Sequence, residues 1–157
     1  MRILGIDPGM AIVGYGVLDF DKTTDEMNLI SSGAIRTQPE QSTSERLFEI
    51  YQDMKHLIEK FQPDCCSIEE LFFFKNAKTI IPVAEARGVI LMALAEAKIP
   101  STGYTPMEIK QALTGHGHAK KPEVAQMVEL ILNRKISKLD DTADAIAACI
   151  CHCKHQF

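Results

Sequence analysis

Four acidic residues of this chain stand in or beside apolar stretches, where a carboxylate costs free energy to bury. Asp7 ends the first apolar run, Glu69 ends a second, and Asp141 and Asp144 open a third. Desolvating a carboxylate is unfavourable unless a cation pairs with it, and hard divalent ions such as Mg²⁺ prefer carboxylate oxygens. If the four converge, they favour metal-dependent phosphodiester hydrolysis.

Taken singly, these acids have ordinary structural explanations. Asp7-Pro-Gly is a frequent turn. Asp140 or Asp141 would serve as the N-cap of a helix, with Asp144 as an acid of its first turn, favoured by the helix dipole. Glu70 adjoins Glu69, but strand alternation predicts that it points to the opposite face of the sheet. The combination of four acids, rather than any one of them, favours a catalytic site.

The spacing of apolar residues and turns predicts the elements that would position these acids. Their order is three strands, helix, strand, helix, strand and three helices, which fits an α/β fold with a five-stranded mixed β-sheet flanked by α-helices. Short connections favour an antiparallel meander for the first three strands. The predicted strands are Arg2–Asp7, Ile12–Asp19, Met27–Arg36, Cys65–Glu69 and Thr102–Thr105, and the predicted helices are Ser44–Phe61, Asn76–Ala97, Pro106–Leu113, Pro122–Asn133 and Leu139–Cys153.

Parallel strands that are neighbours in a sheet end at the same edge. The first strand and the strand after the first helix can pair in this way, which would place Asp7 beside Glu69 at a rim that ligands favour in open α/β sheets. Asp141 and Asp144 are three residues apart and would share one face of the last helix.

Length and composition indicate a single globular domain, 1–157, with 46% hydrophobic and 24% charged residues. No apolar run reaches the roughly 20 residues that span a bilayer, and the N-terminus does not resemble a signal peptide, so no membrane association and a cytoplasmic location are expected. Five cysteines at Cys65, Cys66, Cys149, Cys151 and Cys153 do not form a disulfide framework. The C-terminal Cys and His residues are interpreted as packed or terminal, with a soft-metal site as the minor alternative.

The net charge of −4 hides an uneven distribution. Residues 1–74 carry an acidic excess, part of which is the candidate metal site itself, whereas residues 75–138 carry 10 basic and 5 acidic side chains. A basic middle segment can form a surface that faces phosphates. Net charge therefore neither supports nor excludes DNA binding.

Several motifs together resemble the bacterial RuvC Holliday-junction resolvases, which have an RNase H-like fold. The resemblance runs from residue 2 to about 152, with the motifs in the order of the family. They are Ile3-Leu-Gly-Ile-Asp-Pro-Gly9, Gly14-Tyr-Gly-Val17, Ile68-Glu-Glu-Leu-Phe72, Lys75-Asn-Ala77, Ala86-Arg-Gly88, Lys110-Gln111, Gly115-x-Gly117 and Asp141-x-x-Asp144-Ala-Ile146.

The resemblance implies site residues by position. Asp7, Glu69, Asp141 and Asp144 match the four acidic catalytic positions and are the expected metal ligands. Lys121 matches a basic position associated with catalysis and DNA contact, although Lys120 precedes it. The residues expected to contact DNA are Phe72, Lys75, Lys78, Arg87, Lys110, Lys120 and Lys121.

The implied activity is that of a crossover junction endodeoxyribonuclease in DNA recombination and repair. A homodimer would resolve a four-way junction by paired symmetric nicks, with RuvA–RuvB, the branch-migration helicase complex, as the implied partner. Two Mg²⁺ ions per site, with Mn²⁺ as a substitute, would clamp the scissile phosphate, and the products would carry 5′-phosphate and 3′-hydroxyl ends. Asp7, from the innermost strand, is expected to bridge both ions.

Alternatives remain at this stage. The basic residues taken singly are ordinary solvated side chains, Phe73 and Phe74 are interpreted as core, and His116 and His118 as loop residues with phosphate contact as the alternative. The apolar surface of the second helix could form the dimer interface or the core. Competing functions are an RNase H-like nuclease for RNA–DNA hybrids or ribosomal RNA, an actin-like ATPase or sugar kinase, and a non-catalytic junction binder.

Overall fold

The structure is a computed structural model of the chain and describes residues 1–71, 77–136 and 139–155. Within these ranges the side chains at 77–79 and 139–141 are not described. Five strands form one mixed sheet in the order β3-β2-β1-β4-β5. They are β1 (Arg2–Asp7), β2 (Ile12–Asp21), β3 (Glu26–Arg36), β4 (Cys65–Glu69) and β5 (Ser101–Tyr104).

The pairing of the strands confirms the predicted sheet. The first three strands form an antiparallel meander, whereas β1–β4 and β4–β5 are parallel pairs. β1 is therefore the central strand, and it lies beside β4 with both carboxyl ends at one edge. The crossover that returns the chain to the sheet as β4 is the first helix.

Helices cover both faces of the sheet. The helices are α1 (Thr43–Phe61), α2 (Ala77–Glu96), α3 (Pro106–Thr114), α4 (Lys121–Ile131) and α5 (Leu139–His155). One buried cluster joins the sheet to α1 and α2, and the other joins it to α3, α4 and α5. Alternation along β1 divides its side chains accordingly, because Leu4 and Ile6 belong to the first cluster and Ile3 belongs to the second.

α5 lies directly on the central strands because two glycines leave room for it. A Cβ atom at Gly5 would overlap the carbonyl oxygen of Ala145, and a Cβ atom at Gly16 would lie 2.9 Å from Cγ1 of Ile146. Glycine within a strand often marks such a close backbone approach. The contact fixes the position of α5 over β1 and β2, and with it the start of the helix near the carboxyl end of β1.

The helix boundaries correct two sequence-based interpretations. α5 begins at Leu139, so Asp140 and Asp141 lie in its first turn and neither is its N-cap. Asp144 is the sixth residue of the helix and belongs to the second turn rather than the first. The other predicted boundaries differ by two residues or fewer from those observed.

The five cysteines are buried free thiols. Cys149 approaches the carbonyl oxygen of Gly16 with its sulfur at 3.5 Å, which places it within the contact between α5 and the sheet. His152 is buried beside this row, and its ring nitrogens lie 2.9 Å from the Tyr104 hydroxyl and 3.5 Å from the Cys65 sulfur. Cys65 and the three cysteines of α5 belong to the buried cluster on the face that α5 covers, whereas Cys66 belongs to the cluster on the other face. Among the described helices, none is long and apolar enough to cross a membrane.

Candidate active site

Asp7 and Glu69 lie side by side at the edge of the sheet. They end the parallel neighbours β1 and β4, which are in register up to the residue before each acid. Alternation along both strands directs them to the face that α5 covers, where Ser67 donates a hydrogen bond from Oγ to the carbonyl oxygen of Ala148 at 2.7 Å. The predicted neighbouring placement of these two carboxylates is thus confirmed.

The surroundings of this pair disfavour two negative charges. The pKa of Asp7 is raised to about 6, chiefly by burial and then by the charge of Asp144, while the charge of Lys121 opposes the shift. Burial likewise raises the pKa of Glu69 to about 8, followed by repulsion from Asp7 and Asp144. Such a pair gains stability from any cation that approaches both oxygens.

Asp144 is the third acid that the structure brings to this edge. Its Oδ2 lies 3.0 Å from Nζ of Lys121, the first residue of α4. The lysine side chain is 80% exposed, whereas that of Asp144 is 27% exposed. Hydrogen bonding to Asp144 raises the pKa of Lys121, and the charges of Asp7 and Glu69 add to the effect. One ammonium group therefore partly offsets all three carboxylates.

Asp141 occupies the turn of α5 before Asp144, but its side chain lies outside the described part of the structure. Its expected convergence with the other three acids stays a prediction. Within the described residues, no three Asp, Glu, His or Cys side chains form a group that is close enough to hold a metal ion, and Asp144 is paired with Lys121 instead.

A cavity of about 540 Å³ opens beside Asp7 and Glu69. The cavity is also lined by α3 and by the loop at 115–120, which contribute Lys110 and His118. The charge of Lys110 also lowers the pKa of Glu69. The cavity therefore combines acidic and basic side chains, a combination that suits a phosphate bound to the protein through cations.

The other predicted DNA contacts are only partly described. Phe72 and Lys75, and the side chain of Lys78, lie outside the described residues. Lys120 is exposed and does not line the cavity. Arg87 is half-buried in α2, and its Nε has no hydrogen-bond partner among the described residues.

Sequence reasoning misplaced Glu70, missed Met107 and left the role of His118 open. Glu70 follows the end of β4 and lines the same cavity as Glu69, with its carboxylate beside Gly103, so strand alternation does not exclude it. Met107 and His118 also line the cavity, whereas His116 does not. The proline at the start of α3 and the glycine at 117 were visible signals for a loop, but nothing local shows that this loop folds back over the sheet edge.

The chain matches a known family over nearly its whole length. The family described as "Crossover junction endodeoxyribonuclease RuvC" matches residues 3–152. A RuvC of Fusobacterium nucleatum is 46% identical over 153 residues, covering 97% of this chain and 80% of that protein. A RuvC of Thermosipho melanesiensis is 46% identical over 152 residues and is covered to 96%, as is this chain.

Solved structures agree with this assignment. Thermus thermophilus RuvC superposes with a TM-score of 0.90 at 35% identity, covering 99% of this chain and 95% of that one. The same protein in complex with a Holliday junction substrate gives 0.91 at 35% identity, with 99% and 94% covered. The yeast mitochondrial Holliday junction resolvase Ydc2 superposes with a TM-score of 0.71 at 17% identity, covering 99% of this chain and 79% of that one. It shares the RNase H-like fold. By sequence and by structure, this chain belongs to the RuvC family of crossover junction endodeoxyribonucleases.

Proposed function

We propose that two copies of this chain resolve a four-way DNA junction by hydrolysing one phosphodiester in each of two opposed strands. The observation that carries the proposal is the pair of buried carboxylates, Asp7 and Glu69, at the carboxyl edge of the sheet with Asp144 beside them. The family supplies the reaction class, and the T. thermophilus relative bound to a Holliday junction supplies the substrate.

A divalent metal ion is implied, because RuvC enzymes are metal-dependent nucleases. The described residues fit such an ion, since three carboxylates repel one another at a site that the single ammonium of Lys121 only partly neutralises. We propose two Mg²⁺ ions, or Mn²⁺ as a substitute, held by Asp7, Glu69, Asp144 and Asp141. Bound there, they would supply an activated water and stabilise the leaving 3′-oxygen.

The side chains of the chain itself have separate roles in this proposal. Asp7 ends the central strand, beside Glu69 and on the face that α5 covers. It would therefore be the carboxylate that binds both metal ions. Lys121 stabilises the charge that develops on the phosphate. Lys110, which lines the same cavity as Asp7 and Glu69, attracts the phosphate to the site by its positive charge. Cleavage of the bond between the phosphorus and the 3′-oxygen leaves 5′-phosphate and 3′-hydroxyl ends, which a ligase can seal.

We propose that the remaining DNA contacts are made by Phe72, which the family resemblance implies, and by the basic residues of the net-positive middle segment. Phe72 would stack on junction bases, and the basic residues of the middle segment would bind phosphates: Lys75, Lys78, Arg87, Lys110, Lys120 and Lys121. The net-positive character of residues 75–138 supports this set. Phe72→Ala should impair junction cleavage and leave the melting temperature unchanged, and an unchanged cleavage rate would return this residue to the core.

A homodimer would provide two active sites for two opposed strands. The described part of α2 supports it, because Ile81 is 65% exposed and Met92 is 55% exposed. They are eleven positions apart, about three helical turns, and so share one face of α2. Replacing both with Asp should give monomers in analytical ultracentrifugation that still fold but no longer make paired nicks. A dimer that persists would place the interface elsewhere.

Three further features complete the proposal. The whole chain, 1–157, is a single nuclease domain, because both buried clusters share one sheet. The protein acts in the cytoplasm, where bacterial chromosomal junctions form. A RuvA–RuvB branch-migration complex delivers the junction, as the family implies.

Cleavage of a labelled synthetic four-way junction tests the function. With Mg²⁺ we expect paired, symmetrically placed nicks in opposed strands, with EDTA none, and with linear duplex or RNA–DNA hybrid no comparable cleavage. The nicks should be sealed by DNA ligase without further processing, which reports the end chemistry. Preferential cleavage of the hybrid would move the substrate, and binding without cleavage would contradict the catalytic assignment of the acids.

A further inference from the structure

The cavity beside Asp7 and Glu69 has an apolar wall that the proposed hydrolysis does not use. The carboxylates and the basic groups account for its polar part. The rest of the lining is Pro8 from the β1–β2 turn, Leu71 after β4, and Pro106 and Met107 at the start of α3. Phosphates and metal ions gain nothing from such a surface, so it is suited to a different part of the substrate.

Met107 is the most exposed member of this wall. It is 52% exposed although it is a large hydrophobic side chain. Its backbone is held firmly, because Thr105 and Glu108 form a capping box at the start of α3. Gly117 lies against it, so that a Cβ atom at 117 would be 3.1 Å from Cγ of Met107. The capped helix therefore fixes the backbone of Met107 at the cavity, Gly117 lies against its Cγ, and about half of the side chain stays exposed.

We infer that this wall receives an unstacked nucleobase of the nucleotide next to the scissile phosphate, with Met107 as its main contact. The inference rests on the proposed function and deepens it, because it concerns which junction sequences are cut. A cavity of about 540 Å³ lies in the range of small-molecule sites, roughly 300–1,000 Å³, and has room for one nucleotide. Unbranched apolar side chains such as Met also insert beside bases in proteins that unstack DNA.

The geometry explains why a base, rather than another apolar group, is the occupant. The wall and the carboxylates line one cavity, so a base that rests on Met107 can belong to a nucleotide whose phosphate lies at the acids. Lys110 and His118 lie at the same cavity and are able to meet the polar edge of a base whose flat face rests on the wall. A base within a continuous duplex is stacked on both sides, whereas one at the branch point is free to enter.

The inference makes Met107 a specificity-determining residue. Met107→Ala should lower the single-turnover cleavage rate on preferred junctions by about tenfold, and should flatten the differences among junctions whose branch-point sequence is permuted. Met107→Leu keeps an apolar contact and should retain most of the rate and the preference. Met107→Gln has a similar length but is polar, and should behave like the Ala variant. Leu130→Ala, which truncates a 71% exposed apolar residue of α4 away from the cavity, is the matched control.

A second readout does not depend on catalysis. A junction with 2-aminopurine beside the cleavage site should fluoresce more strongly when wild-type protein binds in EDTA, because the base leaves its stack. The increase should be largely lost with Met107→Ala and Met107→Gln and kept with Met107→Leu and Leu130→Ala. Melting temperatures identify any variant that has lost its fold, and the conservative Leu variant keeps the test valid in that case.

The outcomes separate this inference from the function beneath it. If wild-type protein resolves junctions and Met107→Ala resolves all permuted junctions with wild-type rates and preference, the inference is wrong and the resolvase function stands. Equal fluorescence for wild type and Met107→Ala would overturn it as well. If wild-type protein does not cut junctions at all, the proposed function fails and takes the inference with it.

Discussion

Asp7 and Glu69 are carboxylates whose burial at the edge of the sheet disfavours their charged form. Their pKa values of about 6 and about 8 lie above the ordinary 3.8 and 4.5, chiefly because of burial. Below about pH 3 both groups are protonated in the folded and in the unfolded chain. As the pH rises toward 8 the unfolded chain releases its protons first, so without metal the free energy of unfolding decreases through this window.

Asp7→Asn removes one of these charges. In EDTA at pH 7.5 we expect the free energy of unfolding of the variant to exceed that of wild type by on the order of 1–3 kcal/mol, so that it melts at a higher temperature. Its stability should also depend less on pH between 4.5 and 8. In Mg²⁺ the wild type should gain stability and the variant much less, because the ion binds the folded carboxylates. Thermal melts at several pH values, with and without Mg²⁺, measure this. An equal melting temperature for both proteins in EDTA would show that the buried charge of Asp7 does not destabilise the fold.

Lys121 and Lys120 are adjacent, but only Lys121 reaches an acid of the site. Lys121→Ala should lower the single-turnover cleavage rate by about a hundredfold at saturating protein, as expected for removal of a charge-stabilising group. Lys120→Ala should weaken junction binding several-fold and leave the saturated rate near that of wild type. Rate measurements as a function of protein concentration separate the two effects. Equal losses in the saturated rate would assign both lysines to the same role.

At the scale of the elements, the seating of α5 decides whether the acids of different strands and helices meet. A Cβ atom at Gly5 would overlap a backbone carbonyl of α5, whereas one at Gly16 would meet Ile146 less closely, at 2.9 Å from its Cγ1 and 3.2 Å from its Cα. Gly5→Ala should therefore destabilise the fold by about 1–3 kcal/mol or more and reduce cleavage even below its unfolding temperature. Gly16→Ala should cost less in both.

Urea unfolding and cleavage at a temperature where both variants remain folded provide the comparison. Identical free energies of unfolding for Gly5→Ala and Gly16→Ala would contradict the close seating of α5 on β1. A loss of cleavage that merely follows stability would mean that α5 does not position Asp144 through this contact.

The sequence was sufficient to predict the elements and the edge at which Asp7 and Glu69 meet. Alternation in the strands, helical spacing and the Pro and Gly turns are local signals, and the order of the elements restricts the topology. The seating of α5 and the cavity wall that includes Met107 depend on which distant surfaces come together. Gly5 carried a local hint of close approach, but its partner in α5 lies 140 residues further along the chain.

At the scale of the whole molecule, a net charge of −4 does not prevent DNA binding because the basic residues are concentrated at 75–138. The affinity for a junction should fall steeply with salt, with a log–log slope that is reduced by about 0.9 for each phosphate contact removed. Lys110→Ala, at the cavity, should reduce the slope by about one contact. Lys135→Ala should leave the slope unchanged, because Nζ of Lys135 lies 2.6 Å from Oε2 of Glu129 and neither residue lines the cavity.

Fluorescence anisotropy in EDTA at several salt concentrations gives these slopes without cleavage. A slope near zero for wild type would exclude the phosphate-facing surface. Equal reductions for both lysine variants would show that Lys110 acts only through bulk charge.

The seating of α5 on β1 also has a consequence for synthesis of the protein. The strand that carries Asp7 leaves the ribosome well before the helix that carries Asp144, because more than a hundred residues separate them. Until that helix docks over Gly5 and Gly16, the nascent chain has two of its acids but not the others, and the face of the sheet that α5 covers stays open. A product that stops before α5 therefore lacks Asp144 and leaves the glycine-lined face of β1 and β2 without the helix that packs on it.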